Sequence, residues 1–214
     1  RDMLSGNTKA PVDVTVKWDG APALFAGEDP RDGQFFVAKK GIFNADPKVY
    51  KNHADIDADT SGDLNKKLMI AFDNLKSLGI KDVIQGDFMF DDSSRREEEI
   101  DGEKMYTFKP QLITYAVPVD SDIGKRIGNA KFGIVFHTNY EGNTLADATA
   151  NYDVNVSNLK RSNDVWFDDA FFKDVSGSVL MTKDETAQVK KDLADAMGAY
   201  KAVSTTNGSG DHTW

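Results

Sequence analysis

A single clear helical pattern lies among segments that favour β-strands, and this mixture narrows the fold class. Apolar side chains recur at spacings of three and four residues, at Leu64, Leu68, Phe72, Leu75 and Leu78. This spacing is typical of one buried helix face, which Ser61 or Asp63 can cap and Gly79 can end. The acidic stretch at 53–63 lacks the glycine and glutamate of a calcium loop, and we interpret it as a solvated lead-in to the helix.

Segments rich in β-branched and aromatic residues lie before and after the predicted helix. Strands are predicted at 12–18, 23–26, 35–39, 83–90, 105–117 and 131–138. The first of them, VDVTVKW, alternates apolar and polar side chains, which is the period of a strand with one buried side. The Pro and Gly of GEDPRDGQ, at 27–34, suit a hairpin between the second and third strands. We therefore predict an α+β domain in which antiparallel strands outnumber helices.

The length of 214 residues is enough for one sizeable domain. The sequence has no internal repeat and no clear linker, so we expect one domain over residues 1–203 and a flexible tail over 204–214. A last helix is predicted from the capping box formed by Thr182 and Glu185. Because the sequence opens at Arg1 rather than at Met, we expect it to be a fragment of a longer chain.

The composition excludes several kinds of chemistry. The chain has no cysteine and three histidines, which excludes thiol nucleophiles and thiolate zinc sites and favours oxygen ligands for Mg²⁺ or Mn²⁺. The formal net charge is −9, which argues against a general basic surface for nucleic acid but is compatible with a local anion site. No apolar run reaches the roughly 20 residues of a membrane span. We therefore expect no membrane partner and a cytoplasmic location.

The motif that bears most on function is Lys17-Trp18-Asp19-Gly20, at the end of the first predicted strand. The alternation of that strand puts Lys17 on its polar side, opposite Trp18. A lysine followed by Asp and Gly is also typical of any exposed strand that ends in a turn. The four residues alone therefore do not decide between structure and chemistry, and the rest of the chain has to.

Four further segments follow in an order that resembles the covalent nucleotidyltransferase superfamily, the ATP-dependent DNA and RNA ligases and mRNA capping enzymes, whose first motif is K-x-D-G. Lys-Lys-Gly at 39–41 is similar to the next motif of phage RNA ligases. VIQGDF at 83–88 resembles the third motif, with Asp87 where glutamate is usual. ITYAV at 113–117 resembles the aromatic-bearing strand, and FGIV at 132–135 resembles the fourth motif.

The resemblance extends over residues 14–137, and it has departures. Phe132 stands where the fourth motif has its metal-binding glutamate. An Ala-Pro pair follows the first motif, where DNA ligases have x-Arg, and the fifth motif, K-x-K, has only Lys160 and Lys173 as candidates. Stretches such as VTVKWDGAPA and GIVFHT also resemble uncharacterised proteins of tailed phages that infect marine bacteria.

The resemblance implies a lysine-based mechanism. Lys17 would attack the α-phosphate of ATP, form a lysyl-adenylate and pass the nucleotide to a nucleic-acid 5′ end. Lys39, Lys40 and a bound Mg²⁺ or Mn²⁺ would lower the pKa of the lysine and stabilise the phosphate oxygens. Asp19 would orient the lysine or the ribose, and Gly20 would let the backbone approach the nucleotide.

Three further residues complete the implied site. Tyr115 would stack on the base, Lys160 would contact the nucleotide from the fifth motif, and Asp87 would bind the ribose hydroxyls or a metal-bound water. The implied architecture is an antiparallel-sheet-rich, ATP-grasp-like ligase catalytic domain with a few helices. His137 has no role in this scheme, and we interpret it as a polar residue at a strand end.

Two other classes of function remain open beside the enzyme. One is a nucleotide-binding module that has kept the pocket and lost the chemistry, because a fold does not confer a function. The other is a phage structural or assembly protein, for which the acidic loop at 91–103 and the aromatic segment DVWFDDAFF at 164–172 would be contact surfaces. A phage protein of either kind would be located in the cytoplasm of the host cell.

Overall fold

Strands dominate the computed structural model, which describes residues 18–44, 46–152 and 154–170. The strands of this part of the chain are β1 (Ala23–Glu28), β2 (Phe35–Ala38), β3 (Val83–Asp91), β4 (Arg96–Ile100), β5 (Glu103–Phe108), β6 (Tyr115–Pro118), β7 (Phe132–Glu141), β8 (Thr149–Asn151) and β9 (Val165–Asp169). The helices are α1 (His53–Asp59), α2 (Gly62–Leu75) and α3 (Asp122–Asn129). The prediction of an α+β chain is confirmed.

The larger sheet has β3 in its middle. The strand order within the described residues is β2-β1-β3-β7-β8, and β9 also pairs with β7. Every pairing in it is antiparallel except that of β9, which runs parallel to the first half of β7. β3 therefore joins the hairpin at one side of the sheet to the three later strands at the other.

The β1–β2 hairpin is held by a buried carboxylate, and its antiparallel pairing confirms the prediction from the sequence. Asp29 has no exposed side-chain surface, and its Oδ2 lies 2.8 Å from both Arg31 Nη2 and Lys51 Nζ. The backbone N–H of Arg31 donates to Asp29 Oδ1 at 3.0 Å, and that of Gly33 donates to the Asp29 carbonyl at 2.7 Å. These cations hold the pKa of Asp29 well below its usual range.

One face of this sheet shares a hydrophobic core with α2. The helix buries Leu68, Ala71 and Leu75, and the core cluster to which they belong also contains Leu24, Ile84, Phe88, Ile134 and Phe136. Each of the leucine, isoleucine and phenylalanine side chains stabilises the fold by about 1.5–3 kcal/mol through removal of apolar surface from water. The helix predicted from the leucine spacing is thus confirmed. A 3₁₀ turn, Lys76–Leu78, continues α2, and Gly79 ends that turn with a φ of 69°.

Residues 53–63 lead into α2 and are mostly exposed, as interpreted from the sequence, but most of them form α1, a helix that was not predicted. Asn52 caps this helix by accepting a hydrogen bond from the backbone N–H of Asp55 at 2.9 Å. Ile56 is fully buried in the α2 core. A single apolar residue in a seven-residue helix leaves too little periodicity to be read from the sequence.

The smaller sheet also differs from the sequence prediction. The strand expected over 105–117 is two strands, β5 and β6, which pair with each other and are separated by residues 109–114 around Pro110. A proline cannot donate to a strand ladder, which accounts for the interruption. β4 pairs with β5, so the loop expected at 91–103 contains a solvent-exposed strand.

The sequence pattern did not predict two further elements, α3 and β9. α3 is capped by Ser121, whose Oγ accepts from the Gly124 N–H at 2.9 Å, and it had no counterpart among the predicted helices. In β9 the side chains of Val165, Trp166 and Phe167 are buried. This part of the 164–172 segment is therefore core and not a contact surface.

Several predictions concern residues outside the described ranges. They are the strand at 12–17, the helix from Thr182, and the boundaries of a single domain over 1–203 with a tail over 204–214, and all of them stay predictions. Among the described residues, no helix combines the length and the apolar character that crossing a bilayer requires.

The buried carboxylate gives a pH-dependent test of the hairpin. We expect Asp29→Asn to lower the free energy of unfolding at pH 7 by about 2 kcal/mol, since hydrogen bonds to a charged group are lost. Because the folded-state pKa of Asp29 lies below its ordinary value of 3.8, the stabilisation is complete above that pH and is lost as the pH falls below it. Chemical denaturation at several pH values measures this difference.

The matched control is Asp120→Asn, which removes the same charge from an exposed position. We expect it to leave the free energy of unfolding within about 0.5 kcal/mol of the parent. A difference between Asp29→Asn and the parent that stays constant from pH 7 to pH 3 would contradict the account.

Candidate functional site

The segment that follows the predicted nucleophile is fastened to the centre of the larger sheet. The backbone N–H of Trp18 donates to the Ala170 carbonyl at 3.0 Å, just beyond β9. The N–H of Ala21 donates to the Phe88 carbonyl at 3.1 Å, and the N–H of Phe88 donates to the Pro22 carbonyl at 3.0 Å. Ala21 and Pro22 therefore extend the pairing of β1 with β3 before β1 formally begins, whereas Trp18 is held at the end of β9.

Asp87 joins this segment to β7. The Gly20 N–H donates to Asp87 Oδ2 at 3.4 Å, a long hydrogen bond. Asp87 Oδ1 lies 3.4 Å from His137 Nε2, and the aspartate is only 6% exposed. A nearly buried carboxylate thus has an imidazole on one oxygen and a backbone donor on the other.

Gly20 fits because nothing larger does. A Cβ atom at this position would lie 2.5 Å from the Phe88 carbonyl oxygen and 2.7 Å from Met89 Sδ. The packing of the chain against β3 therefore requires glycine here, whatever else approaches it. The predicted role of Gly20 towards a nucleotide stays a prediction.

Tyr115 closes the same turn from the smaller sheet. Its hydroxyl accepts from the Asp19 N–H at 2.7 Å and donates to the Asp19 carbonyl at 3.1 Å. Its ring centroid lies 4.7 Å from that of Trp18 and 5.7 Å from that of Phe108. Burial raises the pKa of Tyr115, so the hydroxyl keeps its proton as a hydrogen-bond donor. Its predicted stacking on a base stays a prediction, and two protein rings already neighbour it.

Lys39 forms an ion pair with Asp59, the last residue of α1. Its Nζ lies 2.9 Å from Asp59 Oδ2, and Lys48 Nζ lies 2.9 Å from the other carboxylate oxygen. The Tyr50 hydroxyl donates to Asp59 at 2.6 Å. Hydrogen bonds from these three groups, of which that from Tyr50 has the largest effect, hold the pKa of Asp59 well below its usual range. Lys39 is therefore committed to the α1 end and is not brought together with Asp19 or Asp87.

Lys40 lies in the turn that follows β2. Phe25 is opposite Ala38, the last residue of β2, and Ala23 is opposite Asp87 on β3. Lys40 comes two residues after Ala38 and is outside this pairing, so the register of the sheet does not bring it beside Asp87. Its side chain is exposed.

Lys160 lies elsewhere. Its backbone N–H donates to the Leu78 carbonyl at 2.9 Å, and a Cβ added at Gly79 would lie 3.5 Å from Lys160 Cε. Leu78 and Gly79 both precede Val83, the first residue of β3, which is itself about 13 Å along the strand from Asp87. The structure therefore does not bring Lys160 together with the other predicted residues.

The motif departure at Phe132 has a clear structural setting. The side chain is fully buried in the α2 core, with its ring centroid 5.1 Å from that of Phe88. Ile134 and Phe136 belong to the same core, whereas His137 contacts Asp87. A carboxylate at 132 would thus enter the apolar core. Within the described ranges no group of three or more acidic or histidine side chains could hold a metal ion.

His137 was missed as a site residue by sequence reasoning. It lies inside β7, not at a strand end, at an irregularity where Gln85 is opposite Thr138 and Gly86 is opposite Phe136. Its Nδ1 lies 2.7 Å from Thr138 Oγ1. The alternation of Gly133, Val135 and His137 in FGIVFHT was the available signal, since it sets His137 apart from the core positions.

Four predicted site residues therefore meet: Asp19, Gly20, Asp87 and Tyr115. The predicted nucleophile, Lys17, precedes Trp18 in the sequence but lies outside the described residues. The fold and the site together define an α+β protein. In it the Asp87–His137 pair lies beside a turn that the Tyr115 hydroxyl holds by two hydrogen bonds. The chain belongs to a family of unknown function, DUF6267, whose model matches residues 1–209. No curated protein and no solved structure matches it.

The tyrosine hydroxyl provides a specific test of the turn. We expect Tyr115→Phe to lower the free energy of unfolding by about 1–2 kcal/mol, because two hydrogen bonds to the Asp19 backbone are lost while the ring contacts remain. Amide hydrogen exchange at Asp19 is expected to accelerate. Tyr152→Phe is the matched control, because Tyr152 is 70% exposed. Equal exchange rates at Asp19 in parent and Tyr115→Phe would contradict this account.

Proposed function

We propose that the chain is a covalent nucleotidyltransferase that forms a lysyl-adenylate at Lys17 and passes the nucleotide to a nucleic-acid 5′ end. The observation that carries the proposal is the convergence of its expected partners. The Gly20 N–H forms a hydrogen bond with Asp87, which is 67 residues away in the sequence. The Asp19 N–H forms one with Tyr115, which is 96 residues away. These residues were selected from the motif order alone, so their meeting is support independent of that order.

The proposed first step transfers an adenylyl group to nitrogen. The neutral ε-amine of Lys17 forms a bond to the α-phosphorus of ATP, the bond from that phosphorus to the bridging oxygen breaks, and pyrophosphate leaves. The nitrogen loses a proton to solvent. In the second step an oxygen of the 5′-phosphate attacks the same phosphorus, the nitrogen–phosphorus bond breaks, and Lys17 takes up a proton.

The contacts around the motif supply rigidity for this chemistry. Trp18 is bonded to Ala170, its ring lies against Tyr115, and Asp19 is held at both its N–H and its carbonyl. A nucleophile that precedes such a fixed segment is positioned at low entropic cost. Lys40, exposed in the turn after β2, is the cation that the motif order assigns to the phosphate oxygens, since Lys39 is paired with Asp59.

A protein-built Mg²⁺ site is not part of the proposal. Asp87 is the carboxylate of the cluster, and His137 and the Gly20 N–H already contact its two oxygens. Mg²⁺ commonly binds through one or two carboxylates together with substrate phosphates. The cation is therefore treated as arriving with ATP, as the Mg²⁺ or Mn²⁺ salt of the substrate, and no step depends on a resident metal.

The proposal predicts a covalent adduct that can be weighed. After incubation with ATP and Mn²⁺, intact-mass spectrometry is expected to show a gain of one adenylyl group on the parent chain. Lys17→Arg is expected to abolish the gain because guanidinium is not a nucleophile at neutral pH. Lys66→Arg, a change at an exposed position of α2, is the matched control and is expected to label like the parent.

Two results of the labelling experiment would contradict the proposal. A parent chain that gains no mass with ATP or GTP, with Mg²⁺ or Mn²⁺, would contradict the proposed enzyme. Labelling that persists in Lys17→Arg would contradict the assignment of the nucleophile.

The burial of Phe132 favours a second candidate, a nucleotide-binding module without transfer chemistry. The position that resembles the metal-binding glutamate of the family is filled by an apolar side chain within the core. This candidate predicts saturable binding of ATP by calorimetry with no mass gain, and unchanged affinity in Lys17→Arg. The phage structural or assembly protein stays a third hypothesis, without a described contact that favours it.

A further inference from the structure

A small cationic pocket lies between α3 and the segment that leads into β9, separate from the Asp19–Asp87 cluster. Its polar lining is made of Lys125, Arg126, Asn129, Arg161, Ser162 and Asn163. The lining thus holds three cations and no carboxylate, in a chain whose formal net charge is −9. Local concentration of one charge sign against the sign of the whole chain marks a site for an ion of opposite charge.

The positive charge of the pocket is only partly compensated. Within the described part of the chain, neither Lys125 nor Arg161 has an acidic partner at ion-pair distance. Arg126 Nη2 donates to the Phe167 carbonyl at 2.9 Å, and its Nη1 lies 3.8 Å from Asp168 Oδ2. Burial lowers the pKa of Arg126 and raises that of Asp168, and at 3.8 Å this carboxylate offsets the charge of Arg126 only in part.

The size of the pocket limits the ligand. Its volume is about 140 Å³. A water molecule takes about 30 Å³ in the liquid, and pockets for drug-sized ligands start near 300 Å³. The pocket therefore accommodates one compact anion and is too small to enclose a whole nucleotide.

We propose that this pocket binds a phosphomonoester group, either as free phosphate or as the terminal phosphate of a polynucleotide. A phosphomonoester carries about −1.5 to −2 charges at pH 7 and three strong acceptor oxygens. Two arginines and a lysine offer forked and single charged donors that match those oxygens. A backbone phosphodiester carries one charge and is the poorer match. The proposal does not depend on Lys17 or on adenylyl transfer.

Titration calorimetry with inorganic phosphate, at constant ionic strength set with chloride, tests the pocket. We expect the double variant Lys125→Gln, Arg161→Gln to bind phosphate at least about tenfold more weakly than the parent, because two charged donors are removed. Both side chains are exposed, so the variant is expected to fold. Lys66→Gln, Lys109→Gln makes the same charge change at two exposed positions away from the pocket, and is expected to bind within about twofold of the parent.

No heat of binding in the parent, or equal weakening in the two double variants, would overturn the proposal. The source of the phosphate is found by competition with an oligonucleotide carrying either a 5′-phosphate or a 5′-hydroxyl. Displacement of phosphate by the 5′-phosphorylated strand alone identifies a polynucleotide end as the ligand, and displacement by neither strand identifies free phosphate. Equal displacement by both strands would overturn the preference for a phosphomonoester, since phosphodiesters would then suffice.

Discussion

The pairing of β3 on both of its edges is the interaction on which the described structure depends. On one side it forms hydrogen bonds with β1 and with residues 20–22, and on the other with β7. The β7 approach is so close that a Cβ at Gly86 would lie 2.6 Å from the Val135 carbonyl oxygen. Phe88 enters the α2 core, while Asp87 contacts His137. The alternation of β3 thus puts the core side chain Phe88 on one face of the sheet and the candidate-site side chain Asp87 on the other.

The candidate site follows from this arrangement because its parts come from elements that the sheet already fixes. Asp87 and His137 lie on neighbouring strands, and the Asp19–Gly20 turn is bonded directly to β3. Tyr115 reaches the turn from the smaller sheet, so the site also joins the two sheets. Groups held in this way need little reorganisation when a ligand binds, which is the property that both nucleotide binding and transfer require.

The sequence predicted elements with strong local signals and missed those that depend on tertiary contacts. The α2 helix and the β1–β2 hairpin followed from leucine spacing and from turn residues. The short α1 depends on one buried side chain, Ile56, and on an Asn52 cap, which leave almost no periodic signal. The split between β5 and β6 could have been anticipated from Pro110, because proline interrupts a ladder.

The candidate site shows the same division. Motif order brought forward Asp19, Gly20, Asp87 and Tyr115, which meet, but also Lys39 and Lys160, which do not. A motif gives the position of a lysine in the chain but not its ion-pair partner, and Asp59 engages Lys39 through α1, a helix that the sequence analysis did not predict. The sequence analysis did not select His137, because its contact with Asp87 lies at an irregularity in the register of β7 with β3 that a sequence pattern does not show.

The central claim is a covalent link between the chain and the α-phosphate of ATP. Incubation with ATP carrying a radioactive α-phosphorus, and in parallel with ATP labelled at the γ-phosphorus, measures it after denaturation of the protein. The account predicts label retained from the α position only and released when pyrophosphate is added before denaturation, because the transfer is reversible. Label retained from the γ position, or from neither, would contradict it.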